Sequence, residues 1–236
     1  MKISGIQKTT TIDYPWKIAC VVFTMWCNFR CPFCYNPETV LPDQMKLIQN
    51  DLIPDEAFFN FLETRKDKLD WVSICGWEPT LQADLYDFAK KVKNMWFLVK
   101  LDTNWSNVDI VEKMLWDGLL DYVAIDLKHS MDKYSTATWI EQNQDFFDGY
   151  DRLLRLLLGS KIDYEYRTTV IKWMHTKDDI ENMAKYIKWA KNYYLQNYKK
   201  GDTLDPNFAW EAFNETELEE MCKVTRKYVK NCGIRK

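Results

Sequence analysis

"FTMWCNFRCPFCYNPE" (residues 23–38) carries Cys27, Cys31 and Cys34 within eight residues, directly after the apolar run "IACVVFT" (18–24). That run is rich in apolar residues with little alternation, the pattern of a strand covered on both faces. Parallel α/β folds bind their ligands at the carboxyl ends of such strands, which is where this loop falls. Three thiolates cannot complete a tetrahedral metal site, so something else must supply a fourth ligand. Three readings stay open on spacing alone. One is zinc, with Cys75, Cys222 or Cys232 as the fourth ligand. Another is a Cys31–Cys34 redox pair, which leaves Cys27 unexplained. The third is a [4Fe–4S] cluster held by three thiolates, with one iron left open to chemistry.

Outward from the loop, the whole-chain numbers narrow the field. A chain of 236 residues fits one large α/β domain or two small ones. The net charge of −3 and pI near 5.6 give no electrostatic drive toward nucleic acid or an anionic membrane surface, so neither is expected as a partner. The N-terminal "MKISGIQKTTTIDYP" lacks the apolar run of a signal peptide, and no stretch approaches a membrane span. A cytoplasmic location follows as the expectation, where thiols stay reduced. Seven cysteines, an odd count, also argue against a disulfide framework.

Strand-like and helix-like patterns alternate along the chain. The strand-like runs are 18–24, 71–75, 97–102, 121–127, 163–171 and 192–198. Helical patterns fill 54–66, 83–95, 107–116, 143–158 and 178–191, and a last helix starts after Asn214 with Glu217 as its capping-box partner. Six such units predict a parallel sheet with helical crossovers, as an open, incomplete barrel or as a doubly wound open sheet. A single domain over 1–236 is expected, with a helical extension at about 199–236. Unusual polar groups fall at strand ends one after another: "GWEPT" after the second, "DTN" at the third, Asp126 and Lys128 at the fourth. Arg167, Thr168 and Thr169 lie in the fifth, and Gln196 and Asn197 close the sixth. This recurrence points to one shared site more strongly than any single motif.

The cysteine spacing, with Phe33 before the last cysteine, resembles the signature of the radical S-adenosylmethionine enzymes. More narrowly, "GIQKTTTIDYP", "CNFRCPFCYNPE", "EPTL", "LVKLDTN", "YVAIDLK", "RTTVI" and "GDTLDP" are similar to the activating proteins of anaerobic ribonucleoside-triphosphate reductases, within the glycyl-radical-enzyme activases. The resemblance implies a partial (β/α)6 barrel, a [4Fe–4S] cluster on Cys27, Cys31 and Cys34, and S-adenosylmethionine as second cofactor. It implies reductive cleavage to a 5′-deoxyadenosyl radical, which removes a hydrogen atom from a backbone glycine of a partner. That partner is anaerobic ribonucleotide reductase, with reduced flavodoxin or ferredoxin as electron donor. Another glycyl radical enzyme or a small molecule is the alternative target, and a zinc- or iron–sulfur-stabilised binding protein without catalysis is the alternative of another class.

Residue roles follow from the same resemblance. Phe33 is expected against the adenine, and Gly76 and Glu78 at the methionine amine. Asp102, Thr103 and Asp126, with Asn104 beside them, are expected near the methionine carboxylate and a monovalent cation. Lys128 and Arg167 are expected on the carboxylate or ribose. No protein residue is expected to act catalytically beyond the cluster and S-adenosylmethionine. Tyr35 stands where many relatives carry histidine and is given no catalytic role. His129 and His175 are expected at the surface or in loops, and Cys20 and Cys75 as small core residues.

Tryptophan conflicts with this picture. Where the family carries glycine, this chain has Trp16, Trp26, Trp77 and Trp105, and also Trp71, Trp96, Trp173 and Trp189. Glycine, at 7, is scarce, while tryptophan, at 11, is abundant; together they make 18, against the roughly 17 glycines of average usage. UGA is read as glycine in some bacterial codes and as tryptophan in others. The expectation is a gene that uses UGA for glycine, read here as tryptophan; a genuine tryptophan-rich relative with a blocked cofactor pocket is the rival.

Overall fold

The computed structural model describes residues 1–12, 17–207 and 211–235. Two compact units divide the chain. The first comprises 1–28 and 38–124, the second 29–37 and 125–236.

In the first unit β1 (Ile3–Thr10) runs antiparallel to β2 (Ala19–Thr24), with Ile3 opposite Thr24 and Thr10 opposite Ala19. Helices α1 (Pro42–Ile48) and α2 (Asp55–Glu63) follow, then β3 (Trp71–Gly76), α3 (Leu85–Asn94), β4 (Leu98–Thr103) and α4 (Val108–Trp116). β2, β3 and β4 are parallel neighbours, with Ala19 opposite Trp71 and Trp71 opposite Leu98. Three of these helices bury one stripe each: Phe58 and Leu62 in α2, Leu85, Phe88, Ala89 and Val92 in α3, Val108, Val111 and Met114 in α4. These spacings are the helical periodicity that the sequence displays.

One unit passes into the other within β5 (Tyr122–Asp126). The second unit continues through α5 (Tyr134–Thr138), α6 (Gln144–Gly159), β6 (Asp163–Val170), α7 (Lys177–Tyr186), β7 (Asn192–Asn197), α8 (Glu215–Thr225) and β8 (Asn231–Arg235). β6, β7 and β8 pair in parallel, Tyr166 opposite Tyr193 and Asn192 opposite Asn231. Local chemistry fixes the helix starts. Asn143 caps α6, and reciprocal capping boxes, Thr176 with Asp179 and Asn214 with Glu217, open α7 and α8.

The mixed α/β fold with parallel strands is the one expected, and all six expected strands are present. β1 and β8 escaped the sequence reading because neither looks like a buried strand. β1 is polar and exposed along its middle, and β8 is five residues containing a glycine and an arginine. The segment after residue 199 is not helical throughout: after α8 it adds a parallel strand against β7. Pro54 is the N-cap of α2, whose first turn begins at Asp55. Among the described residues no helix is long and apolar enough to cross a membrane.

Candidate functional site

The first unit gathers Cys27, Gly76, Glu78, Asp102, Thr103 and Asn104. β2, β3 and β4 end beside one another, and their last residues and the turns after them supply these groups. Gly76 pairs with Thr24 at a backbone φ of +113°. A Cβ there would lie 2.4 Å from the Thr24 nitrogen and 2.5 Å from its oxygen, so the close approach of β3 to β2 requires glycine.

Two residues on, Glu78 is fully buried. Its Oε1 accepts from Thr80 N (3.1 Å), Thr103 Oγ1 (2.7 Å) and the Thr80 hydroxyl, and Oε2 accepts from Asn104 N (2.5 Å). Burial raises the pKa of Glu78 above its ordinary 4.5, against the pull of these hydrogen bonds. Both carboxylate oxygens are thus engaged by protein donors. The Glu78 side chain thus braces the turn that follows Gly76. Through Asn104 the brace reaches the cysteine loop. The Asn104 amide donates to Cys27 Sγ (3.6 Å) and to Asn28 Oδ1 (3.0 Å). Hydrogen bonds to cluster sulfurs are among the protein's means of setting a reduction potential.

Asp102 is paired with Lys100, 3.1 Å away, both side chains almost fully buried. The Lys100 ammonium also lies 5.7 Å from the Tyr122 ring centre. A protein cation therefore already balances the carboxylate expected to help hold a monovalent ion. The sequence did contain this signal: Lys100 and Asp102 stand two apart on one strand face, in an otherwise apolar run.

The second unit holds Cys31, Phe33, Cys34, Asp126, Lys128 and Arg167. Cys34 N–H closes a turn onto Cys31 O (2.9 Å), and Leu204 and Asp205 N–H groups donate to the carbonyls of Cys34 (2.9 Å) and Pro32 (3.0 Å). Phe29 anchors the other end of this loop between Tyr134 and Phe146. Cys31 and Phe33 are buried and Cys34 is half-buried. Burial pushes the Cys31 thiol up to about 12, with the Lys128 ammonium acting the other way.

Asp126 ends β5 between two cations: Arg167 NH2 and Lys128 Nζ both approach to 3.0 Å. Burial alone would raise its pKa; Arg167 and Lys128 outweigh that and hold it at about 2. Backbone bonds set the frame, since Leu127 N donates to Arg167 O (2.8 Å) and Thr168 Oγ1 to Leu127 O (2.7 Å).

His129 and His175, expected at the surface or in loops, are both buried and stack 4.8 Å apart. Each ring accepts a backbone N–H at Nδ1, from Ser130 and Ile171 respectively. Each Nε2 faces a carbonyl, that of Met174 (3.0 Å) and Lys128 (2.9 Å). Neutral rings with the proton on Nε2 satisfy all four bonds. The pair thus staples the segment after β5 to the segment after β6. Tyr35 donates its hydroxyl to Lys199 O (2.6 Å), stacks on Tyr198 and lines a recess of about 450 Å³ with Thr169, Gln196, Asn197, Lys199 and Arg235.

The donor set suits an iron–sulfur cluster. Among the described residues no three His, Cys, Asp or Glu side chains converge on one point, as a single metal ion would need. A cubane cluster makes no such demand, because each thiolate takes a separate iron.

The sequence matches the Radical SAM superfamily over residues 21–190. A Methanocaldococcus jannaschii protein named as a glycyl-radical enzyme activating enzyme is 33% identical over 236 residues, covering 99% of this chain and 95% of its own. The pyruvate formate-lyase-activating enzyme of Clostridium pasteurianum is 24% identical over 241 residues, 97% of each chain. In fold, a radical SAM methyltransferase from Sphaerobacter thermophilus superposes with a TM-score of 0.71 at 11% identity, over 94% of this chain and 67% of that one. The chain belongs to the radical S-adenosylmethionine superfamily, enzymes that use a [4Fe–4S] cluster and S-adenosylmethionine.

Proposed function

We propose that the chain activates a glycyl radical enzyme, and that anaerobic ribonucleotide reductase is its target. The observation that carries the activase reading is similarity along nearly the full length to a protein so named, with the three-cysteine loop at the end of a parallel strand. The short segments quoted above, "GIQKTTTIDYP" and "GDTLDP" among them, favour the reductase over other targets.

In this reading Cys27, Cys31 and Cys34 ligate the cluster. When bound, the cluster and S-adenosylmethionine together supply one-electron cleavage of a sulfonium carbon–sulfur bond, a reaction that cofactors carry and the protein positions. The chain's own residues do the positioning. Asn104 donates to one cluster thiolate, and Glu78 fixes Asn104 and Thr103. The backbone at Gly76 receives the amino acid end of the nucleoside. Phe33, on the buried side of the loop, covers the adenine. Lys128 and Arg167, oriented by Asp126, offer positive charge to a carboxylate or ribose. With Lys100 on Asp102, and Lys128 and Arg167 on Asp126, a monovalent cation is not needed to balance either carboxylate. A reduced flavodoxin or ferredoxin supplies the electron.

Anaerobic reconstitution with iron and sulfide, followed by dithionite and S-adenosylmethionine, tests the chemistry. The expected products are methionine and 5′-deoxyadenosine, lost in Cys31→Ala. Adding the reductase should give a glycyl-radical signal by electron paramagnetic resonance. Cleavage without that signal, and with it on another glycyl radical enzyme, retains the class and discards the target.

A further inference from the structure

We infer that positions 26, 96, 105, 139, 173 and 189 are glycine in the protein as its own organism makes it. Among the described residues nine have a left-handed backbone. Two are glycine, Gly76 and Gly118, one is Asp67, and the other six are Trp26, Trp96, Trp105, Trp139, Trp173 and Trp189. Aspartate visits this region readily, whereas a bulky residue there is an outlier, because its Cβ meets the neighbouring carbonyl. Nine tryptophans lie among the described residues, since Trp16 and Trp210 fall outside them. That two-thirds of these should share a conformation tryptophan avoids does not follow from any property of an indole.

Four of the six positions sit in a motif that asks for glycine. Trp96 follows the last turn of α3, where its N–H bonds to Lys93 O (2.9 Å) while Met95 closes on Lys91 O. Trp139 is the left-handed cap of α5, its N–H on Ser135 O (2.8 Å). Trp189 comes two residues after the cap of α7. Glycine is the usual residue where a helix ends left-handed. Trp173 is the third residue of a turn closed by Met174 N–H on Ile171 O, and a left-handed third residue marks the type II turn, whose third position is glycine. The last two positions adjoin the site. At Trp26, just before Cys27, the carbonyl accepts Glu78 N–H (3.0 Å); Trp105 follows Asn104, the residue that bonds Cys27. Burial does not repay the strain at five of the six, which are between 49% and 92% exposed; Trp105 alone is buried.

This reading separates tryptophans that the sequence alone lumps together. It adds Trp139, which no motif had singled out. It does not extend to Trp71, Trp77 or Trp116, whose backbones lie outside the left-handed region. A gene in which UGA encodes glycine accounts for all six at once, and the inference is independent of the reaction proposed above.

Peptide mapping by tandem mass spectrometry of the chain purified from its source organism tests it directly. Glycine is expected at all six positions, with UGA at each codon; tryptophan there overturns it. Recombinant full-length chains give a second measurement. Each tryptophan-to-glycine change at the five exposed positions, 26, 96, 139, 173 and 189, should raise the folded-to-unfolded ratio at fixed urea by on the order of fivefold. Trp116→Gly, at a helix end with no left-handed backbone, should lower it. If all six of these changes lower the ratio, the inference fails.

Discussion

Glu78 in the first unit and Asp126 in the second hold a negative charge at a strand end by opposite means. Glu78 is fully buried and is met by neutral donors, two backbone N–H groups and two hydroxyls. Asp126, with a side chain about one-third exposed, is met by a guanidinium and an ammonium. Neutral donors fix a geometry and tolerate either protonation state. Cations fix a charge. The first arrangement suits a brace that holds backbone in place, and the second suits groups whose charge a ligand is to feel. The consequences differ in size, in acid response and in salt response.

The largest expected effect is on the brace. Glu78→Ala strands Thr80 N, Asn104 N and Thr103 Oγ1 without their acceptor, and should cost about 4 kcal/mol in urea unfolding. Asp126→Ala removes the partner of two cations that can still reach water, and should cost about 1–2 kcal/mol. Equal losses would break the comparison. Close behind Glu78 comes Gly76→Ala, where a new Cβ meets the Thr24 backbone and the left-handed φ adds strain. About 3 kcal/mol is expected by the same measurement, with iron content falling in parallel after reconstitution.

The acid responses should have opposite signs. Asp126 titrates lower in the folded chain than its ordinary 3.8, at about 2. Its stabilisation is therefore complete above 3.8 and is lost as pH falls toward 2. Glu78 titrates higher when folded, so the folded chain binds the extra proton and its burial penalty disappears as pH falls toward 4.5. Urea midpoints followed against pH should show Asp126→Asn flattening a loss in acid and Glu78→Gln flattening a gain. A third acid-sensitive element lies in the second unit. Burial and the neighbouring His129 lower His175 to about 4, so neutral His175 stabilises the fold above its ordinary 6.5. That contribution drains away between 6.5 and 4, because a protonated ring can no longer accept Ile171 N–H. His175→Gln should remove this segment of the pH profile.

Much of this frame was legible in the sequence, for physical reasons. The six inner strands are apolar runs between helices of clear 3.6-residue period, and burial on both faces leaves that mark. The cysteine loop, Asp126 and Lys128 could be placed at strand ends, and Arg167 within a strand, by position alone. Other features depend on contacts that no local pattern encodes. The Glu78 brace brings Thr103 and Asn104 across 25 and 26 residues of sequence. The histidine staple joins residues 46 apart, and each ring alone reads as a loop histidine. β8 contributes five residues whose strand character comes only from pairing with β7. The glycine positions were partly legible through family motifs, but Trp139 needed a backbone angle.

The smallest expected effect sharpens the same contrast within the ion pairs themselves. Lys100–Asp102 and Lys128–Asp126 have nearly the same separation, 3.1 and 3.0 Å, but side-chain exposures of 3% and 6% against 17% and 31%. Mobile ions screen charges they can approach, and reach a pair sealed in the core far less. Raising salt from about 0.05 to 0.5 M should therefore shrink the stability difference between Lys128→Met and the parent by about 0.5 kcal/mol. The difference for Lys100→Met should stay the same within the precision of urea midpoints. Equal screening at both sites would mean that water reaches Asp102, and the account of Lys100 as a built-in substitute for a bound monovalent ion would fall with it.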